Sequence, residues 1–164
     1  MVPGGWRSVR LGLLLAWAGI TAVMLPVISH AEILDNPASE ASGDAEFVAA
    51  ERLVKAQHFE EALPLLQRVV GRDPGNADAY NYLAFSQRKA GLLDEAMGNY
   101  KRALDLDPDH IGAREYLGEL YLQLGQRDKA EEQLAILMRL CPLGCEPRED
   151  LAQAIAAHKR AQAP

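Results

Sequence analysis

Small and turn-forming residues recur along this chain at a constant interval. The clearest members are alanines and prolines: Ala62, Ala96 and Ala130, and Pro74, Pro108 and Pro142. Between them, apolar residues follow helical spacing, as Tyr80, Leu83 and Ala84 do at i, i+3 and i+4. A period of about 34 residues indicates repeated supersecondary units that stack side by side.

Each unit is predicted to form two helices joined by a short turn. In the second unit, Gly91 ends the first helix because glycine accepts the left-handed closing conformation. Glu95 then lies near the start of the second helix, where a carboxylate is favoured. Pro108 stops that helix. Small residues at Ala84 and Ala96 allow the two helices to approach closely.

The residues at these offsets carry a family resemblance. The pattern of the second unit resembles the tetratricopeptide repeat: Tyr80, Leu83, Ala84, Gly91, Ala96, Tyr100, Ala103 and Pro108. The third unit repeats it, and the first departs from it at Glu46, where an aromatic residue is usual. The resemblance implies an all-α fold, a right-handed α-solenoid of three helix hairpins. The predicted units are about 44–76, 77–110 and 111–144, so that the repeats cover 44–142.

Residues 146–161 are predicted to form one more helix. Pro147 stands where proline is favoured at a helix start, and acidic residues follow it in the first turn. A repeat array needs a terminal element to cover its last apolar face, so we expect a capping helix. The alternative is a fourth half-repeat that is used for binding.

Residues 1–31 have the pattern of a secretory signal peptide. Arg7 and Arg10 precede an apolar stretch, and small residues precede a cleavage site predicted after Ala31. We expect export to the periplasm of a Gram-negative bacterium, with residues 32–43 as a flexible leader. The alternative is an uncleaved anchor in the inner membrane that leaves the repeats facing the periplasm.

The composition argues against several functions. The net charge of −6 does not favour a nucleic-acid binder. No metalloprotease, hydrolase or phosphate-binding motif occurs, so no enzymatic activity and no cofactor are predicted. The expected partner is another protein or a peptide segment, without membrane binding after cleavage. The oligomeric state stays open.

The two cysteines stand at a departure from the repeat, because Cys141 replaces Asp73 and Asp107 of the earlier units. In an oxidising compartment, we predict a disulfide between Cys141 and Cys145. A copper site formed by both thiolates and Met138 is an alternative. A redox-active pair or unpaired thiols is a third interpretation.

The resemblance also implies a binding surface, since the first helix of each repeat lines a concave face. The implied groove residues are Phe47, Glu51, Val54, Asn81, Phe85, Arg88, Glu115, Glu119 and Leu122. Phe85 is a candidate hot spot because its position is not needed for internal packing. Phe47 is either a second candidate hot spot or a residue that covers the N-terminal edge of the array.

The Lys/Asn/Arg clamp with which some tetratricopeptide domains hold an acidic C-terminus is missing. Its places carry Phe47, Glu51, Tyr82, Gly112 and Tyr116. Binding to the acidic tails of cytosolic chaperones is therefore not implied.

Overall fold

The computed structural model describes residues 37–162, with side chains from residue 45 onward. The elements of this part are helices: α1 Pro37–Lys55, α2 Phe59–Arg72, α3 Ala77–Lys89, α4 Leu93–Leu106, α5 Ile111–Gln123, α6 Arg127–Leu140 and α7 Glu146–Ala161. None of these helices has the length and hydropathy to cross a membrane. The predicted signal peptide, residues 1–31, lies outside the described residues.

Consecutive helices pack as hairpins, α1 with α2, α3 with α4 and α5 with α6, while α7 packs on both α5 and α6. Three core clusters hold the stack, and each takes its side chains from three consecutive helices. The repeated alanines Ala62, Ala96 and Ala130 are completely buried in them. The prediction of an all-α solenoid of helix hairpins is confirmed.

The turn inside each hairpin uses the same left-handed backbone conformation. Gly91 has φ of 83° and Gly125 has φ of 70°, as the predicted helix ends require. The first hairpin places Gln57 there, with φ of 64°. A side chain at positive φ is strained because its Cβ crowds the following carbonyl. The repeat geometry therefore imposes this conformation even where glycine is absent.

The turn between hairpins is closed by Asp73 and Asp107 in the first two units. Each carboxylate accepts a hydrogen bond of 3.0 Å from the backbone N–H two residues later. In the third unit, Cys141 has the same place and forms a disulfide with Cys145, at a Cα–Cα distance of 5.9 Å. The copper alternative with Met138 requires two free thiolates, which the disulfide does not offer.

Helix α1 begins at Pro37, inside the segment 32–43 that we predict as a flexible leader. The sequence interpretation is therefore wrong for residues 37–43, which are helical. Proline is tolerated in the first turn of a helix, where its missing N–H would have no partner. The Pro and Gly content of the segment obscured this helix start.

Glu46 explains why the first hairpin departs from the repeat pattern. Arg68 donates from Nε to the Glu46 carboxylate at 2.5 Å, and Arg72 of the same helix pairs with its other oxygen. The hydrogen bond from Arg68 holds the pKa of Glu46 below its usual value. This ion pair ties α1 to α2 at the position that Tyr80 holds in the second hairpin.

Helix α7 has the range of the predicted capping helix and buries Leu151 and Ile155. It comes very close to α5, because a Cβ on Gly118 would lie 2.5 Å from a methyl carbon of Leu151. Glu146 follows Gly112 by one period of the repeat. Helix α7 therefore stands where the first helix of a fourth hairpin would begin.

Candidate functional site: a groove face on α1, α3 and α5

The first helices of the three hairpins, α1, α3 and α5, carry the residues predicted to line a groove. The half-buried members of this surface define what we call the groove face: Phe47, Glu51, Tyr82, Phe85, Tyr116 and Glu119. Tyr82 and Tyr116 come from the positions of the missing clamp. The remaining predicted residues lie deeper.

The α1 side of the groove face is an aromatic pair with satisfied polar groups. The rings of Phe47 and Tyr82 meet edge to face, with centroids 5.9 Å apart. The Tyr82 hydroxyl donates to Glu51 at 3.1 Å, and Lys55 Nζ lies 2.8 Å from the same carboxylate oxygen. Burial and the bond to Glu51 raise the pKa of Tyr82 to about 12, so its hydroxyl stays protonated.

Phe85 lies in the middle of the groove face. Its ring centroid is 5.7 Å from that of Phe59 and 4.6 Å from that of Tyr116. The expectation that this position is not needed for internal packing is wrong, because Phe85 bridges α2 and α5. The Lys89 ammonium lies 5.2 Å from its centroid. A binding role for the half-buried ring stays a prediction.

Arg88 is committed to an internal ion pair. Its guanidinium donates to the Glu119 carboxylate at 2.5 Å, and only 4% of the Arg88 side chain is exposed. The pair joins α3 to α5 beneath the groove face. A buried charge is tolerated only with such a partner, so Arg88 supports the surface from within.

Glu115 is the most perturbed carboxyl group in the described chain, at 7% exposure. Burial raises its pKa to about 8, assisted by the negative charges of Glu119, Asp150 and Glu146, while Arg88 opposes the shift. The predicted groove did not include Glu146 and Asp150. The signal that could have found them is the period, since they follow Gly112 and Tyr116 by one repeat.

Three other predicted groove residues are buried. Val54 belongs to the core cluster of the first hairpin, and Leu122 to the cluster that α7 completes. The prediction that these two face the groove is wrong, because neighbouring helices cover them. Asn81 is 5% exposed, and its side-chain amide nitrogen would lie 3.5 Å from a Cβ atom added at Gly112.

The fold and the groove face together define the class, a helical repeat protein with a surface on the first helix of each hairpin. Models of the tetratricopeptide repeat match residues 47–111 and 87–139. These parts of the chain are tetratricopeptide repeats, as their residue pattern indicates.

Individual proteins show the same likeness. Human general transcription factor 3C polypeptide 3 is 31% identical over 129 residues, which are 77% of this chain and 14% of that protein. The chain therefore corresponds to a small part of this much longer relative. MamA of Desulfovibrio magneticus has a TM-score of 0.56 at 28% identity, covering 58% of this chain and 54% of the MamA chain.

A third likeness concerns the whole stack. The type III secretion chaperone SycD of Yersinia enterocolitica, solved with a peptide of the translocator YopD, has a TM-score of 0.67 at 19% identity. The match covers 78% of this chain and all of the SycD chain. At this identity, the likeness shows a common fold.

Proposed function

We propose that this protein is a non-enzymatic adaptor of the bacterial cell envelope that holds a segment of another protein on its groove face. The observation that carries the proposal is the row of half-buried rings on the groove face, Phe47, Tyr82, Phe85 and Tyr116. Partly uncovered aromatic side chains offer a large contact area at low entropic cost, which is typical of binding hot spots.

The fold supports the same function. SycD, which shares this helix stack, is solved with a bound peptide of a partner protein. Tetratricopeptide arrays present their surface as a one-dimensional row of similar helices, which suits an elongated ligand. An apolar protein segment, either extended or helical, is the ligand that matches such a row.

A crosslinking experiment tests the adaptor function. A photoreactive phenylalanine analogue replaces Phe47 or Phe85 in the full chain, expressed in its own host. The matched control carries the analogue at Asp105, an exposed residue of α4. We expect a discrete protein adduct from the groove positions and none from Asp105. Adducts of equal yield at all three positions, or at none, would contradict the proposal.

Two features support an envelope location. Residues 1–31 have the three parts of a signal peptide. The disulfide between Cys141 and Cys145 is the form expected in an oxidising compartment. We expect cell fractionation to recover the protein in the periplasm. Its intact mass should be that of a chain whose first residue is Glu32. Recovery in the cytoplasm with both thiols reduced would overturn this part of the proposal.

A further inference from the structure

Four acidic residues lie on α5 and α7, two helices that pack against each other: Glu115, Glu119, Glu146 and Asp150. Glu115 and Glu119 are one turn apart on α5, as Glu146 and Asp150 are on α7. The charges of the other three act on the buried Glu115 carboxyl group. We call these four residues the acidic end of the groove.

The cations around the acidic end are already engaged. Arg88 pairs with Glu119. Arg114 of α5 donates to the backbone oxygen of Pro108 and to Gln133. Arg148 of α7 donates to the backbone oxygen of Cys141. Of the four acidic residues, only Glu119 has an ion-pair partner within residues 37–162, so the acidic end keeps carboxyl groups that no cation pairs with.

Unpaired acceptors mark the same place. Within residues 37–162, the Glu115 carboxyl group takes part in no hydrogen bond or ion pair, although it is 7% exposed. The side-chain oxygen of Asn81 is buried without a donor. Asn81 touches α5 at Gly112, which shares a helix face with Glu115. A buried acceptor without a donor costs free energy, so a ligand that donates to Asn81 would be stabilised here.

We propose that the segment bound on the groove face is an apolar stretch of a partner protein that carries a lysine or arginine, and that its cationic group binds at the acidic end. This inference rests on the proposed function and adds the chemistry of the partner. The apolar residues of the segment cover Phe47, Phe85 and Tyr116. The basic side chain extends past Tyr116, and its charged group donates to Glu115 and Asn81.

A basic side chain fits this place better than a metal ion. No three potential metal ligands lie close enough together to hold an ion in residues 37–162. A lysine ammonium or an arginine guanidinium has several donors on a flexible stem, so it reaches separated acceptors. Its methylene groups pack on an aromatic face such as Tyr116 while the charge stays at the carboxylates.

Selection from a library of short random peptides, displayed on phage and presented to the full chain, tests the inference. We expect enriched peptides to combine apolar residues with a lysine or arginine. Replacing that residue by uncharged norleucine should weaken binding to the wild-type chain about tenfold, measured by calorimetry. Apolar peptides that bind equally well with norleucine would overturn the inference and leave the adaptor function standing.

Variants in which acidic residues are replaced by their neutral amides test where the basic side chain of the peptide binds. Glu146→Gln with Asp150→Asn removes two charges from α7, and Glu95→Gln with Asp105→Asn removes two from the exposed side of α4. The two α7 substitutions together should lower the affinity for the basic peptide about tenfold and leave the affinity for the norleucine peptide unchanged. The α4 pair should change neither. Equal losses from both pairs would indicate general charge attraction and would overturn the inference.

Proton release gives a second readout. Near pH 7, the Glu115 carboxyl group is largely protonated because its pKa is about 8. A bound cation lowers this pKa, so binding should release a proton, seen as a heat that depends on the buffer. Glu115→Gln should abolish the release. A dimer of the chain that competes with the peptide would instead identify a second copy as the occupant and overturn the inference.

Discussion

Two regions of the groove differ in how their polar groups are buried: the aromatic part, which is the row of rings with the adjoining Glu51, and the acidic end. The rings of the aromatic part are Phe47, Tyr82, Phe85 and Tyr116. In the aromatic part, the Glu51 carboxylate receives both the Tyr82 hydroxyl and Lys55. At the acidic end, Glu115 is buried beside carboxylates without a cation of its own. Tyr82 and Glu51 therefore have hydrogen-bond partners in the free protein, whereas the Glu115 carboxyl group has none within residues 37–162.

This contrast indicates that the aromatic part contributes mainly to the stability of the fold and the acidic end mainly to ligand binding. Satisfied polar groups and packed rings stabilise the fold whether or not a ligand is present. An uncompensated carboxyl group costs stability in the free state, and a ligand that neutralises it recovers that cost. The two parts of one groove therefore have opposite effects on the stability of the free protein, and single substitutions can separate these effects.

Gly118→Ala should have the largest effect, because it attacks the contact that brings α7 to the acidic end. The new Cβ would lie 2.5 Å from a methyl carbon of Leu151, so the fully buried Leu151 side chain must shift within its core cluster or the two helices must separate. We expect the free energy of unfolding to fall by about 3 kcal/mol in urea titrations. Gly98→Ala is the matched control, since its Cβ meets nothing within 4 Å. It should leave the protein as stable or more stable.

Phe85→Ala tests whether the aromatic part stabilises the fold. The substitution removes a half-buried ring that packs against Phe59 and Tyr116. We expect a loss of about 2 kcal/mol, less than for a fully buried phenylalanine. Phe85→Leu retains most of the volume and should cost less than about 1.5 kcal/mol. If Phe85→Ala were as stable as the wild type, the ring would have no packing role and would serve binding alone.

Glu115→Gln should remove a pH dependence that belongs to the acidic end. The pKa of Glu115 is raised in the folded state from 4.5 to about 8, so the folded protein binds the proton more tightly than the unfolded chain. Wild-type stability should therefore fall as the pH rises between these values. The free energy of unfolding of the variant should exceed that of the wild type by an amount that grows to about 2 kcal/mol as the pH rises from about 5 to about 8. Parallel stability curves for the two proteins would contradict the assigned environment.

Gln57→Gly should have the smallest effect and leaves both parts of the groove unchanged. Gln57 has φ of 64°, a conformation that glycine adopts without strain. We expect a gain of about 1 kcal/mol in thermal or urea unfolding. Gly91→Ala, the reciprocal change at the next hairpin, should lose a similar amount. A loss from Gln57→Gly would indicate that the Gln57 side chain makes a stabilising contact.

The helical hairpins could be predicted from sequence because their determinants are local. Ala84 and Ala96 belong to one core cluster within a single hairpin, and Gly91 sets the turn between their helices. Such contacts join residues a few turns apart, so the period and the residue types carry the information. The start of α1 at Pro37 was missed because proline and small polar residues are compatible with both a leader and a first helical turn.

The candidate site was predicted only in part, because its properties depend on neighbours from other hairpins. Val54 and Leu122 have the spacing of groove residues, but packing from adjacent helices buries them. The spacing of Phe85 suggests a position that is not needed for internal packing, but its ring packs against the rings of Phe59 and Tyr116. Spacing assigns a residue to a helix face without revealing how deeply the next element covers that face.

The class of structure follows from the amino-acid sequence, because a regular period of small, apolar and turn-forming residues permits helix hairpins that stack. The charge state of Glu115, in contrast, depends on how the helices pack. The pKa of Glu115 depends on burial and on Glu146 and Asp150, which α7 brings near only because Gly118 admits Leu151. Helix formation follows from local spacing, whereas desolvation and charge proximity arise only when distant segments pack together.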